Sequence, residues 1–353
     1  MKEIILTIDY ELFFGEKDGS VDSCMIYPTE LLADLLAKYD SRMTVFWDIL
    51  HYWKLRELGG VYSILSLEAN KIKVQIQKLA ETNHDIQLHL HPHWINTSFD
   101  GQEWQFNLAG YRLHNLSQKN TPEDISTISG CVKIGKNLIE ETINKINPDH
   151  KVNTFRAGGY CIQPFDKLSQ VFCNNGIVID SSICYGFKLD KGPHSYDFTR
   201  VPQKNYYRFD RDINVENPEG RFIEFPIGSI KVSSFHVLWW AFLRRLKYKN
   251  LKTLVEIKSD SSHEQKENAK KSDISKTVGR GLNIILKENY IMLTTDNSFR
   301  EKLNYLIKQA CDGSVIILHP KYLNLHTLEL LENYLKSGHI RFISLHDKIK
   351  QNI

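Results

Sequence analysis

The sequence predicts an α/β fold, a distorted and incomplete (β/α) barrel of seven or eight strands with a long loop or helical insertion. Three observations predict this class. Short apolar runs alternate with stretches of helical periodicity, eight such runs occur within 353 residues, and several end in a polar residue. Strands that alternate with helices favour a mainly parallel sheet. Because a barrel can absorb this length as one unit, we expect 1–353 to form a single domain.

The predicted strands are short apolar runs of three to five residues: Ile4–Ile8, Met43–Trp47, Asp85–Leu88, Val152–Phe155, Ile177–Ile179, Phe222–Phe225, Val315–Leu318 and Arg341–Leu345. The predicted helices have apolar residues at helical spacing. The first covers 28–38 and opens with Pro28, and the second covers 62–79. The third covers 121–146, with Thr121 expected at its N-cap.

Two segments interrupt this alternation. Residues 185–221 are polar and aromatic without a clear period, and residues 258–280 are almost wholly hydrophilic. We therefore expect loop or lid insertions over 185–221 and 230–290, placed near the functional site.

Composition excludes several classes of protein. Hydrophobic residues make up 42% and charged residues 25%, as in an ordinary globular protein. The 45 basic and 42 acidic residues give a net charge of +3, which argues against a nucleic-acid partner. The six cysteines form no C-x-x-C pair and are too few for a disulfide framework. The apolar run Ile4–Ile8 is too short for a signal-peptide core, so the expected compartment is the cytoplasm.

The residues that end the predicted strands are the candidates for chemistry, because the carboxyl ends of parallel barrel strands converge on one face. They include carboxylates, imidazoles and a guanidinium rather than polar residues in general. They are Asp9 and Glu11, then His89, His91 and His93, then Arg156, Asp180 and His319. The alternative is that these residues have no catalytic role, because strands commonly end in polar turns. An isolated D-x-E pair is often solvated, and a lone histidine after a strand is usually structural.

The histidine cluster predicts a metal site in one of two ways. An extended backbone would place all three imidazoles on one face. If a turn follows His89, then His89 and His93 converge at the i, i+4 spacing of paired metal ligands, and Pro92 fits such a bend. Two imidazoles with one carboxylate suit Zn²⁺ and leave positions open for water and substrate.

With these residues identified, the sequence resembles the polysaccharide deacetylases, the NodB-homology group of carbohydrate esterases, as a divergent member. Five loose motifs occur in the family's order between residues 7 and 319. They are Thr7-Ile8-Asp9-Tyr10-Glu11, the pair His89 and His93, Arg156-Ala-Gly-Gly-Tyr160, Asp180-Ser-Ser and Ile316-Ile-Leu-His319. Tyr10 stands where the family has a second aspartate, and Gly158 stands where it has proline.

The resemblance implies a metal-dependent N-deacetylase that acts on an acetamido sugar of a polysaccharide or glycan precursor, in surface glycan biosynthesis. The implied cofactor is a divalent metal ion, Zn²⁺ first, with Co²⁺, Ni²⁺ or Mn²⁺ as alternatives. Its implied ligands are Glu11, His89 and His93, although Asp9 could equally be the carboxylate ligand. The role of His91 stays open.

The resemblance also implies the catalytic roles. Asp9 would take a proton from water, Arg156 would orient Asp9, and His319 would protonate the leaving amine. Asp180 matches the aspartate of the fourth motif. We expect Tyr160 and Trp94 to contact the carbohydrate substrate.

Two alternative functions stay open at this point. The protein could hydrolyse a non-carbohydrate C–N bond, or it could be an inert barrel that binds glycan without turnover.

A second surface is predicted at 235–252. The aromatic run Phe235–Leu243 is half the length needed to span a bilayer, and it precedes a group of basic residues. This pattern suits peripheral contact with anionic lipid on the inner face of the membrane. The alternative is an amphipathic helix that packs Trp239, Phe242 and Leu246 against the barrel.

Overall fold

The computed structural model describes residues 1–14, 19–191, 194–256 and 289–352. The strands of the described residues are β1 (Lys2–Tyr10), β2 (Thr44–Asp48), β3 (Asp85–Leu90), β4 (Ser98–Phe99), β5 (Trp104–Gln105), β6 (Thr154–Ala157), β7 (Ile179–Asp180), β8 (Lys188–Lys191), β9 (His194–Asp197), β10 (Tyr207–Phe209), β11 (Phe222–Glu224), β12 (Ser229–Val232), β13 (Asn289–Met292), β14 (Val315–Leu318) and β15 (Ile340–Ile343). The helices are α1 (Tyr27–Ala37), α2 (Ile49–Leu58), α3 (Ser63–Glu81), α4 (Ile128–Ile143), α5 (Asp166–Asn174), α6 (Ser234–Leu246), α7 (Arg300–Gln309), α8 (Leu325–Lys336) and α9 (Leu345–Asn352).

The main sheet confirms the predicted barrel. Its strand order is β10-β11-β7-β6-β3-β2-β1-β14, with β15 paired to the first half of β1. Every pair is parallel except β10 with β11. Among the described residues, the two ends of the curled sheet approach at an isolated bridge, where Ile227, after β11, pairs with Val315 of β14. The barrel is therefore distorted and incomplete.

Strand β1 lies in the interior of this sheet. Ile4, Ile5, Leu6, Ile8 and Tyr10 are all fully buried, so consecutive side chains point to two covered faces. Such continuous apolar runs are typical of parallel strands with helices on the outside. The register pairs Thr7 with Thr44 of β2 and with Ile317 of β14, so β1 has a parallel neighbour on each side where its carboxyl end carries Asp9.

Helix α4 begins later than predicted. The N-cap is Thr127, whose hydroxyl accepts the Gly130 N–H at 3.0 Å, and not Thr121. Upstream, the Asp124 carboxylate accepts the Ser126 N–H at 3.0 Å and the Ser126 hydroxyl at 2.7 Å. This local turn competes with helical hydrogen bonding, and the helix therefore starts only after it.

The segments expected to be insertions contain regular structure. Within 185–221 lie the antiparallel pair β8–β9 and strand β10 at the sheet edge. Within 230–290, β12 leads into α6 and pairs with β13. The hydrophilic run 258–280 lies outside the described residues, and the lid function stays a prediction. Among the described helices, none combines the length and apolar character needed to cross a bilayer.

Candidate active site

Side chains from four strands of the barrel meet at the carboxyl end of the sheet. Asp9 is on β1, His89 on β3 and Arg156 on β6, and His319 follows β14 directly. Glu11 follows β1 by one residue. These side chains are nearly inaccessible except for that of His319, which is 13% exposed. The convergence expected from the strand ends is thus present in the structure.

Glu11, His89 and His91 form a compact group of possible metal donors. Glu11 Oε2 lies 3.2 Å from His89 Nε2 and 2.7 Å from His91 Nε2. The two Nε2 atoms lie 2.9 Å apart. Burial raises the pKa of the Glu11 carboxyl, but the Lys321 ammonium and the His91 imidazole outweigh it and hold this pKa well below its usual value. Glu11 is therefore a carboxylate with one oxygen directed at two imidazole nitrogens.

The backbone after β3 explains why His91 rather than His93 joins this group. Strand β3 continues to Leu90 and His91 is still near-extended, with φ −116° and ψ 85°, so His89 and His91 share a face. A 3₁₀ turn over Pro92–Asn96 then carries the next residues away. The i, i+4 pair expected from the sequence, His89 and His93, therefore does not converge, whereas the i, i+2 pair His89 and His91 does.

His93 instead lies in an aromatic cluster. Its ring stacks on Trp94 at 5.4 Å and on Tyr111 at 5.4 Å, and neither nitrogen has a hydrogen-bond partner among the described residues. Burial, followed by the charge of the His91 imidazole, lowers the pKa of His93 to about 2. The structure therefore gives His93 a neutral, packing position outside the donor group.

The metal suggested by the resemblance fits these donors. Donors around a tetrahedral Zn²⁺ at 2.0–2.1 Å are separated by about 3.3 Å, close to the 2.7–3.2 Å observed here. His89 Nδ1 donates to the Arg156 carbonyl at 2.9 Å, so in the neutral form of the ring the lone pair lies on Nε2, which faces the other donors. A nitrogen–nitrogen–oxygen set of this kind suits Zn²⁺ or a similar divalent ion.

Lys321 completes the environment of Glu11. Its Nζ lies 2.7 Å from Glu11 Oε1 and donates to the Leu12 carbonyl at 2.6 Å. The ammonium also lies over the rings of Phe13 and Phe14, at 5.1 and 5.2 Å from their centroids. Lys321 thus fixes one oxygen of the carboxylate and leaves the other to the imidazoles.

Asp9 is held by Arg156. Arg156 Nη1 donates to Asp9 Oδ1 at 2.7 Å and to the Thr7 hydroxyl at 2.9 Å, while its Nε donates to the Ser181 carbonyl at 2.7 Å. Burial raises the pKa of Asp9, but the Arg156 charge, followed by those of His89 and His319, lowers it below its usual value. Asp9 Oδ2 remains directed at the site, 4.0 Å from His89 Nε2.

His319 lies beside Asp9 and is held in place by Asp296. His319 Nε2 lies 3.5 Å from Asp9 Oδ2, and its Nδ1 donates to Asp296 Oδ2 at 2.6 Å. Asp296 Oδ1 also accepts the His319 backbone N–H at 2.9 Å. Burial lowers the pKa of His319, but Asp296 and then Asp9 outweigh it and raise that pKa to about 9. His319 is therefore an oriented imidazolium at neutral pH.

Asp180 lies one layer behind the site. It accepts the Ser182 hydroxyl at 2.8 Å, and Ser182 in turn accepts the Ala157 N–H at 2.9 Å. Burial raises the pKa of Asp180 and of the adjacent Glu224, and the Asp180 charge raises that of Glu224 further. In this structure Asp180 supports the strand that carries Arg156 and does not face Asp9 or the donor group.

The two predicted substrate contacts are placed differently. Tyr160 is half-buried with φ +62°, and its hydroxyl lies 3.8 Å from Met292 Sδ. Burial, followed by the charge of Asp9, raises the pKa of that hydroxyl well above its usual value, so the tyrosine is neutral. Trp94, in contrast, is fully buried and donates to Asp48 Oδ2 at 2.7 Å, so it offers substrate no surface.

Sequence reasoning missed Asp296 and Lys321. Asp296 follows β13 and the apolar Leu293, so the strand-end rule that found Asp9 would also have indicated it. Lys321 lies in the turn His319-Pro-Lys-Tyr, and a lysine in a turn is normally solvated. No local pattern distinguishes this buried lysine from an exposed one.

No family model matches the sequence, and no curated protein matches it. Three solved structures are similar in fold. A protein from Mycobacterium smegmatis assigned as a polysaccharide deacetylase is 12% identical, with a TM-score of 0.44 over 99% of this chain and 89% of the other. The Xyl-CE4 domain of a multidomain xylanase from the hindgut metagenome of Trinervitermes trinervoides is 12% identical, with a TM-score of 0.37 over 99% and 90%. A family 4 carbohydrate esterase from Streptomyces lividans, in complex with acetate, is 11% identical, with a TM-score of 0.37 over 97% and 91%. The barrel is established by its own strand order and registers.

Proposed function

We propose that the protein is a metal-dependent N-deacetylase that hydrolyses the acetamide of a sugar in a polysaccharide or glycan precursor. The observation that carries this proposal is the juxtaposition of Asp9 and His319, 3.5 Å apart, beside the Glu11–His89–His91 donor group. A low-pKa carboxylate opposite a high-pKa imidazolium provides a base and an acid for one hydrolysis. The order of the five sequence motifs supports the same reaction.

The donor group would hold the metal through Glu11 Oε2, His89 Nε2 and His91 Nε2. When bound, a divalent ion there would polarise the amide carbonyl and lower the pKa of water. Lys321 keeps Glu11 ionised and correctly turned, and the Arg156 carbonyl fixes the tautomer of His89. These contacts orient the donors before any ion arrives.

Asp9 is the base. Arg156 locks Oδ1, so that Oδ2 is the oxygen free to take a proton from the attacking water. As that proton is removed, the water oxygen forms a bond to the acetamide carbon. Because the Arg156 charge holds the Asp9 pKa down, the carboxylate is ionised at neutral pH and ready to accept the proton.

His319 is the acid. It donates its Nε2 proton to the sugar nitrogen as the carbon–nitrogen bond breaks, which yields an amino sugar and acetate. The Asp296 carboxylate holds the ring by Nδ1 and supports the positive charge on the imidazole. The open side of His319 and Asp296, with side chains 13% and 16% exposed, is the route by which the sugar would reach these groups.

The test is acetate release from a panel of nucleotide-linked, lipid-linked and oligomeric acetamido sugars, with and without a chelator. We expect release that the chelator removes and that Zn²⁺ or Co²⁺ restores. His89→Ala should lose both metal and activity, His319→Ala should lose activity but keep metal, and the exposed His339→Ala serves as the matched control. A protein that binds no metal, or in which His89→Ala is fully active, contradicts the proposal; glycan binding without turnover would favour the inert barrel.

A further inference from the structure

Helix α6 is apolar on two opposite faces. Its inner face places Trp240, with Val237 and Leu243, against Phe299 and Tyr305. The outer face carries Phe235, Leu238, Trp239, Phe242 and Leu246, which are 44–71% exposed. At 100° per residue these five side chains fall within an arc of about 100°. The sequence alternative that packs Trp239, Phe242 and Leu246 on the barrel is thus contradicted, because the helix presents its other side to the core.

This outer face is a continuous apolar surface. Trp239 and Phe242 stack with their ring centroids 5.6 Å apart, and Phe235 and Leu246 extend the stripe at either end. A stripe of this length along one helix differs from single exposed apolar residues, which are common on any protein. Such a stripe indicates a surface that contacts either an apolar surface of another protein or a lipid bilayer.

Charge distinguishes among the possible occupants. Residues 235–256 hold five basic side chains, Arg244, Arg245, Lys247, Lys249 and Lys252, and a single acidic one, Glu256. Lys247 is neutralised by Glu301 at 2.7 Å, whereas Arg245 borders the outer face and is exposed. Two copies of this helix packed face to face would bring like charges together, which opposes pairing. An anionic lipid surface complements both the apolar stripe and the cations.

We propose that the outer face of α6 docks onto a membrane surface that contains anionic lipid. The aromatic residues would enter the boundary between headgroups and acyl chains, and Arg245 and Lys249 would contact the headgroups. The segment after α6 lies against the loop that follows His319, since the Leu254 N–H donates to the Leu323 carbonyl at 2.8 Å. Docking would therefore bring the carboxyl end of the barrel close to the lipid surface.

The test is co-sedimentation of the full chain with phosphatidylcholine vesicles, with and without phosphatidylglycerol. We expect binding that requires the anionic lipid, and a loss of at least about tenfold in the partition coefficient for the double variant Trp239→Ser with Phe242→Ser. Arg245→Glu with Lys249→Glu should weaken binding by about fivefold or more per residue. The control, Ile64→Ser with Leu67→Ser, removes two exposed apolar residues of α3 and should bind like the parent protein.

Three outcomes overturn the proposal. They are no binding to anionic vesicles, binding that neither double variant weakens, and a concentration-dependent dimer that Trp239→Ser with Phe242→Ser abolishes. The last would assign the surface to a second copy of the chain. Far-ultraviolet circular dichroism of each variant verifies that it is folded. None of these results bears on the deacetylase proposal, because no α6 residue lies in the active site.

Discussion

Replacing Lys321 with methionine tests whether the donor group binds a cation. Methionine keeps the unbranched stem but removes the ammonium that lies 2.7 Å from Glu11 Oε1. Both side chains of this ion pair are nearly buried, at 6% and 7% exposed. Removing one partner of a buried pair costs about 3–5 kcal/mol. Because His91 still lies 2.7 Å from Glu11 Oε2, we expect the lower end of that range in metal-free protein.

A bound divalent cation changes this result. It would supply positive charge to Glu11 in place of Lys321, so the destabilisation of Lys321→Met should shrink in saturating Zn²⁺. In the thermodynamic cycle, the free energy of unfolding that Lys321→Met regains in Zn²⁺ must equal the increase in its Zn²⁺ binding free energy over the parent protein. Each 1.4 kcal/mol of that increase corresponds to about tenfold in Zn²⁺ affinity. The variant should thus be less stable without metal, yet bind metal more tightly than the parent protein.

Denaturant unfolding with and without Zn²⁺ measures the first quantity, and calorimetric titration measures the second. Lys54→Met is the control for a buried lysine away from the donor group, since Lys54 is also buried and pairs at 2.6 Å with Glu57, which is exposed. Its loss of stability should be equal with and without Zn²⁺, which also corrects for ions that bind the unfolded chain. If Lys321→Met behaves like Lys54→Met and its Zn²⁺ affinity is unchanged, then Glu11 does not belong to a cation site.

Three further predictions concern the neighbouring residues. His93→Phe should bind Zn²⁺ as the parent protein does, whereas His91→Ala should lose about tenfold or more in Zn²⁺ affinity in the same titration. If His93→Phe loses affinity and His91→Ala does not, then His93 is the ligand. The pKa of His319 in the folded protein is about 9, above the usual 6.5, so its positive charge stabilises the fold by about 3 kcal/mol. This contribution is complete below about pH 6.5 and is lost as the pH rises through 9. The difference in unfolding free energy between the parent protein and His319→Gln should therefore shrink between about pH 6 and pH 10, and a pH-independent difference would contradict the assignment. Asp296→Asn should move the alkaline limb of the kcat/KM profile to lower pH, because the carboxylate that raises the His319 pKa is gone.

The barrel could be predicted because its signal is repeated along the chain. All eight predicted strands appear within two residues of their expected positions, and each depends on an apolar run that must be buried in a parallel sheet. The start of α4 could not be placed in the same way. Thr121 and Thr127 are both acceptable caps, and only the turn at Asp124 decides between them.

The sequence predicted those residues of the candidate site that lie at the ends of parallel strands. Strand ends indicated Asp9, Glu11, His89 and His319, because the direction of a parallel strand fixes where its end lies. The choice between His91 and His93 depended on whether the backbone stays extended for one residue beyond Leu90, which Pro92 alone does not determine. Asp296 could have been indicated by the same strand-end rule, whereas Lys321 contacts Glu11 from 310 residues away in sequence, and such a contact leaves no local pattern.

The pairing of charges distinguishes the two carboxylates whose roles the sequence left open. Each acid has its own cation: Asp9 has Arg156 at 2.7 Å, Glu11 has Lys321 at 2.7 Å and Asp296 has His319 at 2.6 Å. Each of the three carboxylates is thus paired with a cation before a metal binds, and this pairing offsets the cost of burying Asp9 and Glu11. Arg156 draws Asp9 Oδ1 away from the imidazoles, and Asp9 Oδ2 lies 4.0 Å from His89 Nε2, whereas Glu11 Oε2 lies 3.2 Å from the same atom. Glu11 is therefore the better placed ligand and Asp9 the better placed base, because a base must keep an oxygen free for the proton that it takes.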